Sequence, residues 1–489
     1  MATLMEKLTA EGGGESVQFL NDIVAQLWPH INVAGSKMTK EIAEPMFKTM
    51  LPGPLATLHF TKIDLGHVPL SLSNVLVTKT DLGNIKLDMN VDWAGKCDIQ
   101  LDGNMIPSLG VKGVALHGRL SVLLGPLGDI IPLIGAAQIS FINPPVLKLD
   151  FTGAANVADS DMIDGAVRNV IMSIINGMLV LPNRIMVKLD ASSDYFKTQL
   201  YPIGLLRLTV AKATDFAEEK KSAASKLFSK VTRASPDTYC KVALGAEEPW
   251  RTSTKNNTTN PSWSETHDFV VTDLNQSITI DLMDHDVGSD DEIGLAVTTV
   301  RELLSAGGSQ ELDMVHKDQP VSGKISISSK FFHFAASGDS LSSSSHSSDG
   351  LLSGVATILI ASAFDIPGSR SEITPSVVVS WGEKHRFQTA IKTDAPGTDI
   401  SNPSFDQTFR IPITADMMGS GAQSFRITLM NAKAEIGSVD IPLEDVLKAP
   451  DMILQDRFAV GGAKVRASIC LRGIEEASME QVDLPERRK

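Results

Sequence analysis

The sequence predicts a multidomain protein in which an α+β domain is followed by two all-β sandwiches. Three observations lead to this expectation. Apolar residues recur first at helical and then at strand spacing within residues 15–200. Beyond residue 200, short strand-like runs alternate with polar turns, which is typical of a sandwich. The series of strand-like runs before a Ser-rich segment is repeated after that segment, so we expect two copies of one β unit.

Composition places the chain among ordinary globular proteins. Its 489 residues allow about three domains, and 43% hydrophobic against 21% charged residues excludes a wholly disordered chain. A net charge of −14 argues against a general nucleic-acid binder, which needs Lys and Arg to neutralise phosphates. Three isolated cysteines without a CxxC pair indicate a reducing compartment. The sequence predicts neither a signal peptide nor a transmembrane segment.

The first domain has helical spacing at its ends and strand alternation between them. We predict a helix that ends at Trp28-Pro29, a second over 36–50 and a third over 162–179. The clearest strand covers 84–93, where apolar residues alternate with Lys, Asp and Asn. Further strands are predicted over 55–63, 98–102, 111–124, 138–142 and 146–151.

The repeat can be followed residue by residue. Asn260-Pro261-Ser262-Trp263 matches Asn402-Pro403-Ser404-Phe405, and Ile293-Gly294 matches Ile436-Gly437. Between the two copies, the segment SGDSLSSSSHSSDG is too polar to bury and predicts a flexible linker. The expected organisation is a first domain over 15–200, β units over 201–334 and 351–473, a linker over 335–350 and a tail over 474–489.

An acidic loop stands out in the first β unit. Asp284, Asp286, Asp290 and Asp291 lie within eight residues. Two carboxylates 4 Å apart repel by about 4 kcal/mol at an effective dielectric constant near 20, so such a cluster is either solvated or holds a cation. Calcium accepts six to eight oxygen ligands in flexible geometry, which suits carboxylates from loops. An EF-hand is excluded because Gly288 occupies a ligand position and Leu295 stands where Glu is required.

The two β units resemble C2 domains. The resemblance depends on four stretches in matching order: ATDF (213–216), PDTYCKV (236–242), NPSWSE (260–265) and DLMDHDVGSDDEIG (281–294). It implies that Asp237 joins the four loop aspartates around calcium, with Glu219 where the family usually has Asp. In the second unit, Thr374 replaces Asp237 and the last loop, 431–435, lacks aspartates, so no calcium site is expected there.

The first domain resembles the SMP (synaptotagmin-like, mitochondrial, lipid-binding) domain of extended synaptotagmins and tricalbins. The supporting stretches are FLNDIVAQLWPHI (19–31), HFTKIDLGHVPL (59–70), GPLGDIIPLIGA (125–136) and VLPNRI (180–185). The family's N-terminal membrane hairpin has no counterpart in the sequence. The resemblance implies an elongated barrel whose apolar groove holds acyl chains of glycerophospholipids, although alternation alone is more typical of an ordinary core. Candidate lining residues are Ile85, Leu87, Met89, Val91, Leu116, Leu120, Val122, Ile139 and Phe141.

A basic insertion lies beside the acidic loop of the first C2-like unit. Within residues 217–235, five cations alternate with apolar side chains, in a protein that is otherwise acidic. Basic residues near an anionic leaflet contribute about 1 kcal/mol each, so the insertion predicts membrane docking, with a solvated basic loop as the alternative. The proposed docking residues are Lys220, Lys221, Lys226, Leu227, Phe228, Lys230 and Arg233.

Together these features predict a lipid-transfer and tethering protein rather than an enzyme. The esterase-like tetrapeptide at 338–341 lies in the Ser-rich segment without an activating base. The family resemblance implies a homodimer formed through the SMP domain. It also implies work at contacts between the endoplasmic reticulum and the plasma membrane, on the cytosolic face of membranes rich in phosphatidylserine or phosphoinositides. The alternative is a calcium-regulated tether or scaffold whose SMP domain only dimerises, and a C2-linked lipid-modifying enzyme is disfavoured.

Overall fold

The computed structural model describes residues 4–80, 83–153, 160–190, 196, 201–216, 235–286, 290–317, 319–342, 351–394, 399–419 and 423–476. The chain divides into two compact units, Met1–Gln199 and Leu200–Lys489. No helix among these described residues is both long and apolar enough to span a bilayer.

The first unit is a seven-stranded antiparallel sheet covered by two helices. Helix α1 spans Leu4–Met50 and helix α2 spans Ser160–Leu179, with a short 3-10 helix at Gly53–Thr57. The strand order is β1-β3-β4-β5-β7, with β2 paired to β3 and β6 to β4. The strands are β1 (His59–Asp64), β2 (Ser71–Lys79), β3 (Ile85–Gly103), β4 (Ile106–Leu127), β5 (Ile134–Phe141), β6 (Val146–Gly153) and β7 (Ile185–Lys188).

Strand β3 explains how the helices meet the sheet. Its odd-numbered side chains, from Met89 to Leu101, are mostly buried, whereas its even-numbered side chains from Asp92 to Gln100 are exposed. This alternation is the period of a strand with one covered face. Ala43 and Phe47 of α1 and Val167 of α2 pack on that face. The predicted α+β class is therefore confirmed.

Several predicted elements differ from the structure in the first unit. The strand predicted over 55–63 begins only at His59, because a 3-10 helix occupies Gly53–Thr57. Helix α1 continues through Pro29 and Pro45, although a break at Trp28-Pro29 was expected because proline removes a backbone hydrogen bond. The helix is held on both sides of Pro29 by tertiary contacts. Trp28 is buried and donates its indole N–H to the carbonyl of Gly66, and Phe47 is fully buried. Strand β3 is also one strand, where two separate strands were predicted.

The second unit contains two β sandwiches built from sixteen strands. The first sandwich has β8 (Gly204–Thr214), β9 (Thr238–Leu244), β10 (Trp250–Arg251), β11 (Ser262–Val271), β12 (Ser277–Asp284), β13 (Asp291–Thr299), β14 (Ser309–His316) and β15 (Gln319–Ala335). The second has β16 (Gly354–Phe364), β17 (Pro375–Trp381), β18 (His385–Gln388), β19 (Ser404–Ile413), β20 (Ser424–Asn431), β21 (Ala434–Pro442), β22 (Ile453–Val460) and β23 (Ala463–Glu476). Short helices are α3 (Val300–Ser305), α4 (Gly338–Ser342), α5 (Ala415–Gly419) and α6 (Leu443–Lys448).

The pairing of the strands confirms the two all-β repeats. In the first sandwich β8 lies between β11 and β15, and in the second β16 lies between β19 and β23. The two sandwiches are joined through the C-terminal ends of two strands, because residues 332–335 of β15 pair with 473–476 of β23. Leu205, Phe332 and Ile474 form a small buried cluster at this junction.

The Ser-rich segment between the sandwiches is partly structured. Strand β15 continues to Ala335, and α4 begins at Gly338 inside the segment predicted as a flexible linker. Leu341 of α4 is fully buried in the core of the second sandwich. A single apolar side chain therefore anchors a stretch whose polar composition predicted flexibility. At the other end, β23 extends to Glu476, beyond the predicted domain end at residue 473.

Candidate functional site

An apolar cavity lies between the two helices and the covered face of the sheet in the first unit. Its volume is about 290 Å³, just below the range of about 300–1,000 Å³ that is typical of ligand pockets. Thr39 contributes the one hydroxyl group of the described wall, and the other lining side chains are apolar. They are Met38, Ile42, Ala43, Phe47, Phe60, Ile99, Leu101, Val111, Leu149, Val167, Ile171, Ile174, Ile175, Met178, Leu179 and Ile185.

The nine residues that the sequence suggested for the groove lie together on the sheet, beside this cavity. Leu87 pairs with Val122, and Met89 pairs with Leu120 across β3 and β4. The described cavity wall contains none of the nine. The candidates on β3 lie on the same covered face of that strand as Ile99, which lines the cavity. They are nearer to the start of the strand than Ile99 is. Their assignment to a lipid groove remains a prediction.

The lining residues contributed by the helices were not identified from the sequence. Six of them repeat along α2 at helical spacing, which makes one apolar stripe of that helix. The sequence contained this signal, but an apolar stripe on a helix is equally typical of a packed core. Only the tertiary arrangement distinguishes the two, since the stripe faces a space that neighbouring side chains leave open.

The loops at one end of the first sandwich bring acidic residues from two chain segments together. The backbone N–H of Asp237 donates a hydrogen bond to Oδ1 of Asp284 at 2.9 Å. The N–H of Asn257 donates to Oδ1 of Asp237 at 2.7 Å. Asp291 lies directly opposite Asp284 in the register of β12 and β13, and its side chain is exposed. The expectation that Asp237 and the later acidic loop are neighbours is therefore met by the fold.

Asp290 is held by two partners that the sequence analysis did not identify. The phenol of Tyr239 donates a hydrogen bond to Oδ2 of Asp290, and Nδ1 of His285 lies 2.9 Å from its Oδ1. Hydrogen bonds to the ionised form, from Tyr239 first and then His285, lower the pKa of Asp290 to about 2. The pKa of Tyr239 rises to about 12, because its phenol is buried and lies beside this carboxylate.

The donor chemistry of these loops fits calcium, which prefers carboxylate oxygens. Among the described residues, however, no three His, Cys, Asp or Glu side chains converge in a geometry that could hold a metal ion. Each oxygen of Asp290 already has a partner, Tyr239 or His285, so a cation would compete with these two residues for the carboxylate. Glu219 and the docking residues Lys220, Lys221, Lys226, Leu227, Phe228, Lys230 and Arg233 lie outside the described residues.

The corresponding loops of the second sandwich keep the backbone geometry without the charges. The N–H of Thr374 donates to Oδ1 of Asn431 at 2.8 Å, as that of Asp237 does to Asp284 in the first sandwich. The N–H of Ala432 donates to the carbonyl of Thr374, as that of His285 does to Asp237. Neutral side chains therefore occupy two of the positions that carry carboxylates in the first sandwich.

Comparison with known proteins agrees with this domain order. Residues 13–190 match the family described as the Synaptotagmin-like mitochondrial-lipid-binding domain. Residues 204–314 and 354–456 each match the C2 domain. The chain therefore belongs to the class of proteins in which an SMP lipid-binding domain is followed by C2 domains.

Within that class the chain is a homologue of the extended synaptotagmins. It is 26% identical to extended synaptotagmin-2-A of Xenopus laevis over 497 residues, which cover 94% of this chain and 55% of that protein. Human extended synaptotagmin-2 is 25% identical over 476 residues, which cover 94% of this chain and 50% of the human protein. The chain thus spans about half the length of the curated relatives it matches.

A solved structure supports the fold. The structure described as "Extended-Synaptotagmin 2, SMP - C2A - C2B Domains" superposes with a TM-score of 0.61 at 24% identity. The match covers 94% of this chain and 99% of that structure. The predicted architecture, an SMP barrel followed by two C2 sandwiches, is confirmed.

Proposed function

We propose that this protein carries glycerophospholipids in the cavity of its SMP domain and docks on anionic membranes through its C2 domains. The observation that carries the proposal is the cavity of about 290 Å³, whose described wall is apolar apart from Thr39. Each methylene buried in such a space contributes about 0.8 kcal/mol, whereas a polar headgroup would find almost no hydrogen-bond partner in it. The cavity therefore suits acyl chains, with the headgroup outside.

Docking under calcium control is the second part of the proposal. Asp237, Asp284, Asp286, Asp290 and Asp291, with Glu219, would hold the cation and so reduce the negative charge that repels an anionic leaflet. Bound calcium supplies positive charge that headgroup oxygens of phosphatidylserine or phosphoinositides can coordinate. The basic insertion, from Lys220 to Arg233, would add attraction through its cations and insert Leu227 and Phe228 into the headgroup region.

The cellular setting belongs to the same proposal. The relationship to extended synaptotagmins supports a homodimer formed through the SMP domain and work at contacts between the endoplasmic reticulum and the plasma membrane. No covalent chemistry is required of the protein in this role, because the cargo leaves one bilayer and enters the other unchanged.

Transfer of fluorescent phospholipid between two liposome populations tests the proposal. Ile171→Trp places a bulky ring in the cavity, and Asn169→Trp places the same ring on the exposed side of the same helix as a control. Excluding two methylenes of cargo costs about 1.6 kcal/mol, which lowers lipid affinity about 15-fold. We expect slower transfer for Ile171→Trp and unchanged transfer for Asn169→Trp. Equal transfer by both variants would instead support a tether whose SMP domain only dimerises.

A further inference from the structure

The second C2 domain carries a group of cations on the outer face of one sheet. Arg457 of β22 lies directly opposite Arg466 of β23, and Lys464 lies opposite Phe364 at the end of β16. The guanidinium carbon of Arg457 lies 4.8 Å from the centre of the Phe364 ring. The intervening Val465 is buried in the core, so these four side chains face outward. We refer to Phe364, Arg457, Lys464 and Arg466 as the Arg457 patch.

Two arginines directly opposite each other on neighbouring strands destabilise a sheet. The internal duplication shows that the fold does not require this arrangement. In the first C2 domain, the pair equivalent to Arg457 and Arg466 is Glu311 and Ser326, which are opposite each other in β14 and β15. The residue equivalent to Lys464 is Lys324, which forms a salt bridge of 3.5 Å with Asp313. In the second domain, Ala459 replaces that aspartate.

The balance of charge on this face therefore differs in sign between the domains. In the first domain, two lysines stand against three carboxylates: Lys212 and Lys324 against Asp215, Glu311 and Asp313. At the same positions in the second domain, three cations stand against two carboxylates: Arg457, Lys464 and Arg466 against Asp365 and Asp406. The face thus changes from a net charge of −1 to one of +1, and Phe364 replaces Thr214.

The patch also lies at the end of the sandwich that carries the loops. Phe364 immediately precedes Asp365, which begins the first of these loops, and Lys464 follows the turn at Gly461-Gly462. The loop residues Thr374 and Asn431 are neutral where the first domain has carboxylates. A negatively charged surface approaching this end therefore meets the cations of the patch without a cluster of aspartates that must first bind calcium.

We propose that the Arg457 patch docks the second C2 domain on an anionic phospholipid surface without calcium, an inference that rests on the membrane docking proposed above. Each cation near an anionic leaflet raises the partition coefficient about fivefold. An aromatic ring beside the guanidinium suits the headgroup region, because the ring is apolar and the cation remains hydrated. A soluble acidic peptide would satisfy the cations but would leave Phe364 without an apolar environment.

Co-sedimentation of the full chain with liposomes in EGTA tests this inference. The liposomes contain phosphatidylcholine with about 30% phosphatidylserine, and pure phosphatidylcholine serves as the neutral comparison. The variant R457E/R466S gives the patch the residues of the first C2 domain. The control R426E/K448S makes the same change in net charge at exposed residues elsewhere in the second domain. A second variant, R457Q/R466Q, removes both cations without adding a carboxylate.

We expect calcium-free binding of the wild-type chain to anionic liposomes, and roughly 100-fold weaker partition for R457E/R466S. Partition of R457Q/R466Q to these liposomes should be about 25-fold weaker than that of the wild-type chain. Partition of the control R426E/K448S should lie within about threefold of the wild-type value. The inference is overturned if the wild-type chain does not bind anionic liposomes in EGTA. It is also overturned if R457E/R466S binds them as strongly as the wild-type chain does. Patch-dependent binding of a polyglutamate peptide, without binding to liposomes, would point to an acidic protein partner and would also overturn it.

The same assay separates this inference from the calcium-dependent docking proposed for the first C2 domain. The variant D284N/D286N removes two carboxylates of the acidic loop and leaves the patch intact. If calcium does not increase binding by the wild-type chain, calcium control fails while the patch remains supported by its binding in EGTA. If the wild-type chain binds anionic liposomes in calcium but not in EGTA, the patch fails and calcium control stands.

Discussion

Replacing Tyr239 by Phe should make the first C2 domain bind calcium more tightly. The Tyr239 phenol donates a hydrogen bond to Asp290, whose other oxygen contacts Nδ1 of His285. The hydrogen bond from Tyr239 draws electron density from the oxygen that calcium would bind and orients the Asp290 carboxylate toward the phenol. The phenol therefore competes with the cation for a carboxylate that the proposed site needs.

The size of the effect follows from the strength of that bond. A hydrogen bond to a charged group contributes about 1.5–3 kcal/mol. Removing the competing donor should therefore raise calcium affinity by about 10-fold to 150-fold, if Asp290 is a ligand. The phenol also keeps the pKa of Asp290 near 2, so the same variant should raise that pKa toward its ordinary value.

Isothermal titration calorimetry of the full chain at pH 7 measures the change in affinity. Tyr201→Phe is the matched control, since it removes a phenol that lies beside Arg472 rather than in the acidic loops. Its calcium affinity should equal that of the wild type. If Tyr239→Phe binds calcium no more tightly than the wild type, the Tyr239 phenol does not compete with calcium for Asp290. That result would refute the prediction.

Three further results are expected. Asp284→Asn with Asp286→Asn should abolish calcium binding by the whole chain in calorimetry, because the second sandwich has neutral Thr374 and Asn431 at its loops; a remaining calcium site would contradict this. Burial raises the pKa of Glu247 even though its carboxylate lies 3.7 Å from the guanidinium of Arg410, so its ionisation should destabilise the fold as pH rises from about 5 to about 8. Urea denaturation should show that Glu247→Gln removes this dependence, and an equal dependence in both proteins would refute it. Leu341→Ala should cost about 2–5 kcal/mol in the same assay, whereas a flexible linker would give no change.

The fold was predictable where one face of an element is covered and the other is not. Strand β3 shows this, because its alternation reads directly as a half-buried strand. The internal repeat likewise predicted the second sandwich, since equivalent residues occupy equivalent positions in both. Helix α1 was not predictable in full, because local sequence favours a break at Pro29 and only the packing of Trp28 and Phe47 on the sheet keeps it continuous.

The candidate sites were predictable to different degrees. Charge clustering identified the acidic loop of the first C2 domain, since carboxylates close in sequence remain close in a loop. The partners of Asp290 could not be foreseen, because Tyr239 is buried in a strand 51 residues away. The cavity wall was harder still. Spacing predicts which side chains share a face, but whether a face is filled by neighbours or encloses a space depends on how α1 and α2 pack against the sheet.

The proposal that the SMP cavity holds phospholipid acyl chains can be tested by native mass spectrometry of the full chain, purified without added lipid. It predicts that wild type and Asn169→Trp carry co-purified phospholipid, and that Ile171→Trp with Ile175→Trp, which fills the cavity from one helix, carries several-fold less. A wild-type protein free of lipid, or equal lipid on all three proteins, would contradict the proposal.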